Sequence, residues 1–186
     1  MVNIRAFFAI MPPKSISDGL TSVLESSKQS LPQNLLRWVH PQKLHITLQF
    51  LKNIQPKDLT PLIEKVRLEL KKTPPFQLEF GGLEWFPTAK HPSILSLAVG
   101  QEACLMPLSA AIGCAISALN YPVESRPFRG HMSLGRVLHH HSLEVELLQQ
   151  IKLEFIPPIL IDEIYLIESK PSKEGREYYP LARIAL

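Results

Sequence analysis

Apolar residues dominate the stretch from Val2 to Ile10, and Met11-Pro12-Pro13 stops the run, so this segment is predicted as a strand. A helix follows to about Ser30, with Ser15 or Ser17 as its candidate cap. Leu35 to Val39 reads as a short strand and His40-Pro41-Gln42-Lys43 as a turn. The next strand, Leu44 to Leu51, alternates strictly. Leu44, Ile46, Leu48 and Phe50 take its core-facing positions, and His45, Thr47 and Gln49 share the other face. From Asp58 to Leu70 the apolar residues Leu59, Leu62, Ile63, Val66 and Leu70 recur at helical spacing. Thr73-Pro74-Pro75 ends that helix before a strand over Phe76 to Phe80.

The second half repeats this order. Ile94 to Val99 is predicted as a strand, followed by a helix whose stripe is Leu105, Leu108, Ile112, Ala115, Ile116 and Leu119, ending near Asn120-Tyr121-Pro122. A strand from His131 to Leu138, a shorter helix around Ser142 to Ile151 and strands Leu160 to Glu168 and Tyr178 to Ala185 complete the chain. Most of the seventeen prolines fall between these elements. The repeated order points to an internal duplication, with approximate halves 1–88 and 89–186 of one bilobal domain, 1–186. The expected fold is α+β: two pseudo-symmetric lobes of β-α-β units, with antiparallel-rich sheets around a central cleft and helices outside.

The two halves also repeat a tetrapeptide of pattern H-x-[ST]-x. It reads His45-Ile46-Thr47-Leu48 in the first half and His131-Met132-Ser133-Leu134 in the second. In each copy the histidine and the hydroxyl share the face opposite the apolar residues. Continued alternation would send Arg136 into the core and Val137 outward. A bulge at Gly135 would reverse that parity and return Arg136 to the side of His131.

One H-x-[ST]-x copy carries little information, because exposed strand faces often hold histidine and threonine. Two copies at equivalent places favour chemistry. One imidazole can take a proton from an attacking water while the other gives one to a departing oxygen. Thr47, Ser133 and Arg136 can then hold the non-bridging oxygens of a phosphoryl group. His45 and His131 are therefore the candidate catalytic residues, and the other three the candidate phosphate contacts. Incidental surface polarity is the alternative.

Composition fits this picture. At 186 residues and 45% hydrophobic, the chain can bury a substantial core, about 70% of its unfolded surface. A formal charge of +3 allows a phosphate-bearing ligand but lacks the dense basic footprint of a non-specific duplex binder. The apolar run from Ala6 to Pro12 is too short to span a membrane and has no small-residue cleavage site after it, so a cytoplasmic protein is expected. Cys104 and Cys114 lie about 280° apart around one predicted helix and are read as reduced, mostly buried thiols. His139-His140-His141, even with His40 or His91, has no cysteine or paired carboxylate to complete a metal-ligand spacing and reads as a solvated loop. No metal and no cofactor is called for.

At the histidine motifs the chain resembles the two-histidine (2H) phosphoesterase superfamily, and within it the LigT-like RNA 2′,3′-cyclic phosphodiesterases, also called 2′-5′ RNA ligases. The resemblance covers nearly the whole chain. Ile4 to Ile10 is similar to the family's opening strand, Leu44 to Leu51 to its LHITLxFL segment, and Arg126 to Arg136 to RPFRPHxTLxR. Leu83-Glu84-Trp85-Phe86-Pro87 with Ile94-Leu95 resembles its middle strand pair. Ser133 stands for the commoner threonine, Gly130 for proline and Lys52 for glycine. Serine keeps the hydroxyl, whereas glycine should loosen the entry to the second histidine strand.

The resemblance implies a histidine from each lobe in one cleft and, as substrate, an RNA end bearing a 2′,3′-cyclic phosphate, such as a tRNA fragment or short oligonucleotide. Opening would leave a 2′-phosphate. Ligation is the same chemistry with an RNA 5′-hydroxyl in place of water, and the chain has no G-x-x-x-x-G-K-[ST] loop to bring ATP into it. No membrane partner is implied, and a monomer is expected. Phe86, Phe128 and Tyr121 are candidates for core packing or for stacking on a nucleobase. Arg126, Arg129, Lys52, Lys90 and Lys173 are candidates for flanking phosphates or plain surface. Rival readings are a non-catalytic RNA-end or nucleotide-binding module, and a relative acting on small cyclic nucleotides.

Overall fold

The computed structural model describes residues 3–138, 145–173 and 175–186. Ten strands and four helices alternate along them. The first part holds β1 (Ile4–Ile10), α1 (Ser17–Ser30), β2 (Leu36–Trp38), β3 (Ile46–Ile54), α2 (Leu59–Leu70), β4 (Phe76–Leu78) and β5 (Phe80–Phe86). The rest holds β6 (Ile94–Val99), α3 (Glu102–Ser117), β7 (His131–Val137), α4 (Val145–Gln149), β8 (Ile159–Ile161), β9 (Glu163–Ser172) and β10 (Gly175–Ala185). The architecture is α+β, as expected. Neither Ser15 nor Ser17 caps the first helix: a 3-10 turn, Lys14–Ile16, leads into α1 and Ile16 occupies the cap position. The histidine tract at 139–141 lies outside the described residues.

An eight-stranded sheet runs in the order β10-β9-β1-β3-β7-β6-β5, with β2 also paired to β7, and all its pairs are antiparallel. The order is symmetric about the β3–β7 junction. Outward from it, β3, β1 and β9 on one side answer β7, β6 and β5 on the other, while β4 and β8 pair in a separate ribbon. Each side draws strands from both halves of the sequence, since β9 joins β1 and β5 joins β6. A cut near residue 88 therefore does not divide the sheet.

The apolar stripes of all four helices, including Leu24 of α1, Val66 of α2, Ile112 of α3 and Leu148 of α4, enter one core with Phe8, Ile46, Leu97 and Met132 of the sheet. Helices thus cover one face. On the other face lies a small cluster of Phe7, Ala9 and Ile167, flanked by Met11, Tyr165 and Tyr178. Burial on both faces explains the unbroken apolar run of β1, in which Ala6 to Ile10 are all buried. Among the described residues, no helix is long and apolar enough to cross a membrane.

Candidate active site

The two histidine strands meet at a single pair, Ile46 opposite Met132. Both side chains are buried in the helix-covered core, at 1% and 0% exposure. Alternation therefore turns His45, Thr47, His131 and Ser133 to the uncovered face. Extending the antiparallel register by one residue each way sets His45 across from Ser133 and Thr47 across from His131, with cross-strand spacings of about 5 Å. One patch of sheet holds both imidazoles and both hydroxyls.

Each imidazole is held by the carbonyl two residues before it. His45 Nδ1 lies 2.7 Å from the Lys43 carbonyl and His131 Nδ1 lies 3.0 Å from that of Arg129. A carbonyl only accepts, so both Nδ1 atoms carry hydrogen and each neutral ring leaves its Nε2 lone pair unclaimed. The rings are also packed from the side. His45 lies 4.8 Å from Phe7 and perpendicular to Tyr178 at 5.4 Å, while His131 stacks on Phe86 at 3.7 Å.

Burial holds both histidines below their ordinary pKa. For His45 the Lys43 carbonyl opposes this shift, and positive charge on His131 adds to it. For His131 the Arg129 carbonyl and the Glu84 carboxylate oppose it, and the Arg129 guanidinium adds to it. Repulsion between the rings disfavours charge on both at once. That coupling suits a pair in which one ring is neutral and the other protonated.

A bulge follows each motif at the same place. Between β1 and β3 the register shifts from Ala9–Thr47 to Phe8–Gln49, leaving Leu48 as the extra residue. Between β6 and β7 it shifts from Ser96–Ser133 to Leu95–Gly135, leaving Leu134 as the extra residue. Val137 is buried and Arg136 exposed in consequence, as the sequence suggested. The first bulge corrects the reading of β3. Gln49 turns to the helix layer, where its Nε2 donates to the Ser109 carbonyl and hydroxyl at 3.2 and 3.0 Å. Phe50, expected in the core, is 48% exposed and sits beside Phe7 on the histidine face.

Comparison with known proteins agrees with this geometry. The family described as LigT like Phosphoesterase matches residues 10–95. An RNA 2′,3′-cyclic phosphodiesterase of Aquifex aeolicus is 28% identical over 182 residues, covering 96% of this chain and 95% of the relative. One of Bacillus subtilis is 29% identical over 140 residues, covering 73% of this chain and 74% of the relative. Among solved structures, E. coli LigT complexed with 3′-AMP superposes with a TM-score of 0.81 at 21% identity, over 99% of this chain and 98% of that one. In sequence and in fold the chain is similar to the LigT-like phosphoesterases.

The other candidate residues of this LigT-like chain are engaged in contacts of their own. Phe86 is committed to His131 on its ring and lies under the Arg129 guanidinium, 4.9 Å from the centroid, so it supports a histidine instead of offering a bare stacking face. Arg129 is itself tied to the Glu84 carboxylate and, at 2.9 Å, to the Pro87 carbonyl. Phe128 packs against the core. Arg126 is exposed and ion-paired with Glu124 at 2.7 Å, which pulls the Glu124 carboxyl down to about 2. The Tyr121 hydroxyl donates to Asp58 at 2.6 Å, away from the histidines in the fold. Lys52, Lys90 and Lys173 are exposed.

Two further expectations need correction. Gly130 does not loosen the chain: it is buried, and a Cβ there would fall 2.8 Å from Val99 Cγ2 and 2.9 Å from Leu105 Cδ1. Cys114 is exposed, not buried, and Cys104 is intermediate. A cavity of about 630 Å³ behind β5, lined by Leu83, Trp85, Leu148 and Ile156 among others, has neither histidine in its wall. Sequence reasoning missed Phe7 and Tyr178 around His45 and Glu84 beside His131. Alternation along β10 could have marked Tyr178 and Arg176 as sharing one face.

Proposed function

We propose that this chain is an RNA 2′,3′-cyclic phosphodiesterase that opens a terminal 2′,3′-cyclic phosphate to a 2′-phosphate, with His45 and His131 together forming the acid-base pair, in either order. The observation that carries this reading is the Ile46–Met132 pair, which brings two imidazoles with unclaimed Nε2 atoms to one face of the sheet. The names of the curated relatives support the substrate.

In the reaction, one Nε2 takes a proton from water as its oxygen bonds to phosphorus. The P–O3′ bond breaks in line, and the other imidazolium gives its proton to the departing 3′ oxygen. Each transfer contributes roughly 10²- to 10⁴-fold in rate. Thr47, Ser133 and Arg136 hold the non-bridging oxygens while charge gathers on them. An RNA 5′-hydroxyl in place of water gives 2′-5′ ligation, but water at its bulk concentration wins unless the second RNA end is bound and oriented. The chain acts as a monomer, in the cytoplasm, on RNA ends such as tRNA fragments or short oligonucleotides.

The test offers the purified protein an oligonucleotide ending in a 2′,3′-cyclic phosphate, with and without a chelator, beside His45→Ala and His131→Ala. Ring opening to the 2′-phosphate should persist with chelator and drop at least about 10²-fold in each variant. Activity abolished by the chelator, or retained in either variant, rules out the acid-base assignment. Turnover confined to small cyclic nucleotides would replace the RNA substrate.

A further inference from the structure

The side of the sheet that carries His45 curls until its outermost strand returns to the site. Tyr178 of β10 meets the His45 ring, and Lys43 Nζ, just before β3, donates to the Arg176 carbonyl at 2.8 Å. Across β1, β9 and β10 one row of positions runs from Arg5 through Ser169 to Tyr178, following the register of Ala6 with Glu168 and of Ser169 with Tyr178. Arg176 shares the Tyr178 face and anchors its Nε on the Ser169 hydroxyl at 2.7 Å.

Toward the turn of the β9–β10 hairpin Arg176 shares the face of Ser169 and Tyr178, while Glu168 and Glu177 occupy alternate positions on the far side; Arg183, at the other end of β10, is ion-paired with Glu163. On that far side Glu168 pairs with Lys170 at 3.3 Å and Glu177 accepts from the Tyr179 hydroxyl. Arg136 arrives from the other half of the sheet through the bulge in β7. Burial raises the Tyr178 pKa, and positive charge from Arg176, Arg5 and Arg136 opposes that shift. None of the three is ion-paired with a carboxylate among the described residues. Strand register thus sets Arg5 and Arg176 on the same face as Tyr178.

We infer that Arg5, Arg176 and Tyr178 form a subsite for a second phosphate, the one on the 5′ side of the terminal nucleoside whose cyclic phosphate lies at His45 and His131. This rests on the function proposed above and deepens it: the enzyme selects RNA ends over cyclic mononucleotides by the charge of the neighbouring phosphate. The second phosphate is either an internucleotide diester or a 5′-phosphate monoester, since a guanidinium pair recognises both.

The experiment compares kcat/KM for adenosine 2′,3′-cyclic phosphate, its 5′-phosphorylated form, the ApA dinucleotide ending in the same cyclic phosphate, and that dinucleotide with a neutral methylphosphonate link. The dinucleotide should be favoured over the mononucleoside form by about tenfold or more, the scale of one charge-assisted hydrogen bond. The methylphosphonate should lose that advantage. Arg5→Gln and Arg176→Gln should each cut the ratio of dinucleotide to mononucleoside several-fold, and Arg176→Lys should restore part of it. Lys170→Gln, on the far face, should leave the ratio where it was.

If the 5′-phosphorylated nucleoside matches the dinucleotide, the subsite takes a monoester; if only the dinucleotide gains, it takes the diester. A methylphosphonate turned over as well as the natural dinucleotide, or a ratio that ignores both arginine variants, overturns the subsite while leaving the phosphodiesterase intact. Failure of the wild type to open any of the four sinks the proposed function and the subsite with it.

Discussion

Replacing Gly130 by alanine tests how tightly the second histidine is built into the core. The added Cβ would meet Val99 Cγ2 at 2.8 Å and Leu105 Cδ1 at 2.9 Å. Carbon atoms pack best at about 3.5–4.0 Å, so each contact is too short by more than half an ångström. Leu105 can swing a methyl aside, but Val99 is β-branched and stiff, and the strain must pass partly into the backbone of residue 130. Overpacking of this kind costs about 1–3 kcal/mol. At roughly 2–4 °C per kcal/mol for a chain of this size, the melting temperature should fall by about 2–12 °C.

His131 is the next residue, so the same displacement moves its ring against the Phe86 face and its bond to the Arg129 carbonyl. A shift approaching 1 Å costs on the order of 10²-fold in rate, so a few tenths should lower kcat several-fold with little change in KM. Scanning calorimetry and steady-state kinetics on Gly130→Ala read both effects, with Gly82→Ala as the control because nothing lies within 4 Å of its added methyl. If Gly130→Ala melted and turned over like the Gly82 variant, the packing argument would be refuted.

Two other predictions concern protonation and ring support. Because burial holds both histidines below the ordinary value of about 6.5, the kcat/KM profile should be a bell whose alkaline limb falls at or below that value, and Glu84→Gln should move whichever limb His131 governs further toward acid by removing the charge that raises it. A limb above pH 8, or an alkaline displacement in Glu84→Gln, contradicts this sign. Phe86→Leu removes the stacked face under His131 and should reduce kcat about tenfold with KM nearly constant; a rise in KM alone would make Phe86 a substrate contact instead.

The helices were legible because their signal is local. Leu62, Val66 and Leu70 lie at helical spacing in the sequence and are all fully buried in the structure. The strand containing His131 was legible for a different reason: strict alternation would have buried Arg136, and a glycine stood beside it as the means of escape. No such conflict marks β3. Leu44 to Phe50 alternates without a flaw, yet Leu48 is bulged, because Gln49 finds the Ser109 carbonyl and hydroxyl on α3, sixty residues away. The partner decided that parity, and local pattern could not reveal it. Tyr178 escaped for the same reason, since only the curl of the sheet brings β10 to His45.

The two bulges also explain how a near-symmetric pair of histidines can handle an asymmetric substrate. By position in the repeat, Gln49 answers Gly135 and Phe50 answers Arg136, so the bulge turns an apolar ring toward the site on one side and a guanidinium on the other. The rings beside the histidines differ as well. His45 sits among Phe7 and Tyr178, whereas His131 rests on Phe86 with the Glu84–Arg129 pair beside it. Equal Nδ1 anchors give both imidazoles the same tautomer, while different charges act on them: at His131 the Glu84 carboxylate favours the imidazolium and the Arg129 guanidinium opposes it, and at His45 the charge that acts is that of His131. The near-symmetric strands therefore bring two imidazoles to one face, and the residues around them make the two surroundings unlike, which is what the proposed division into one acid and one base requires.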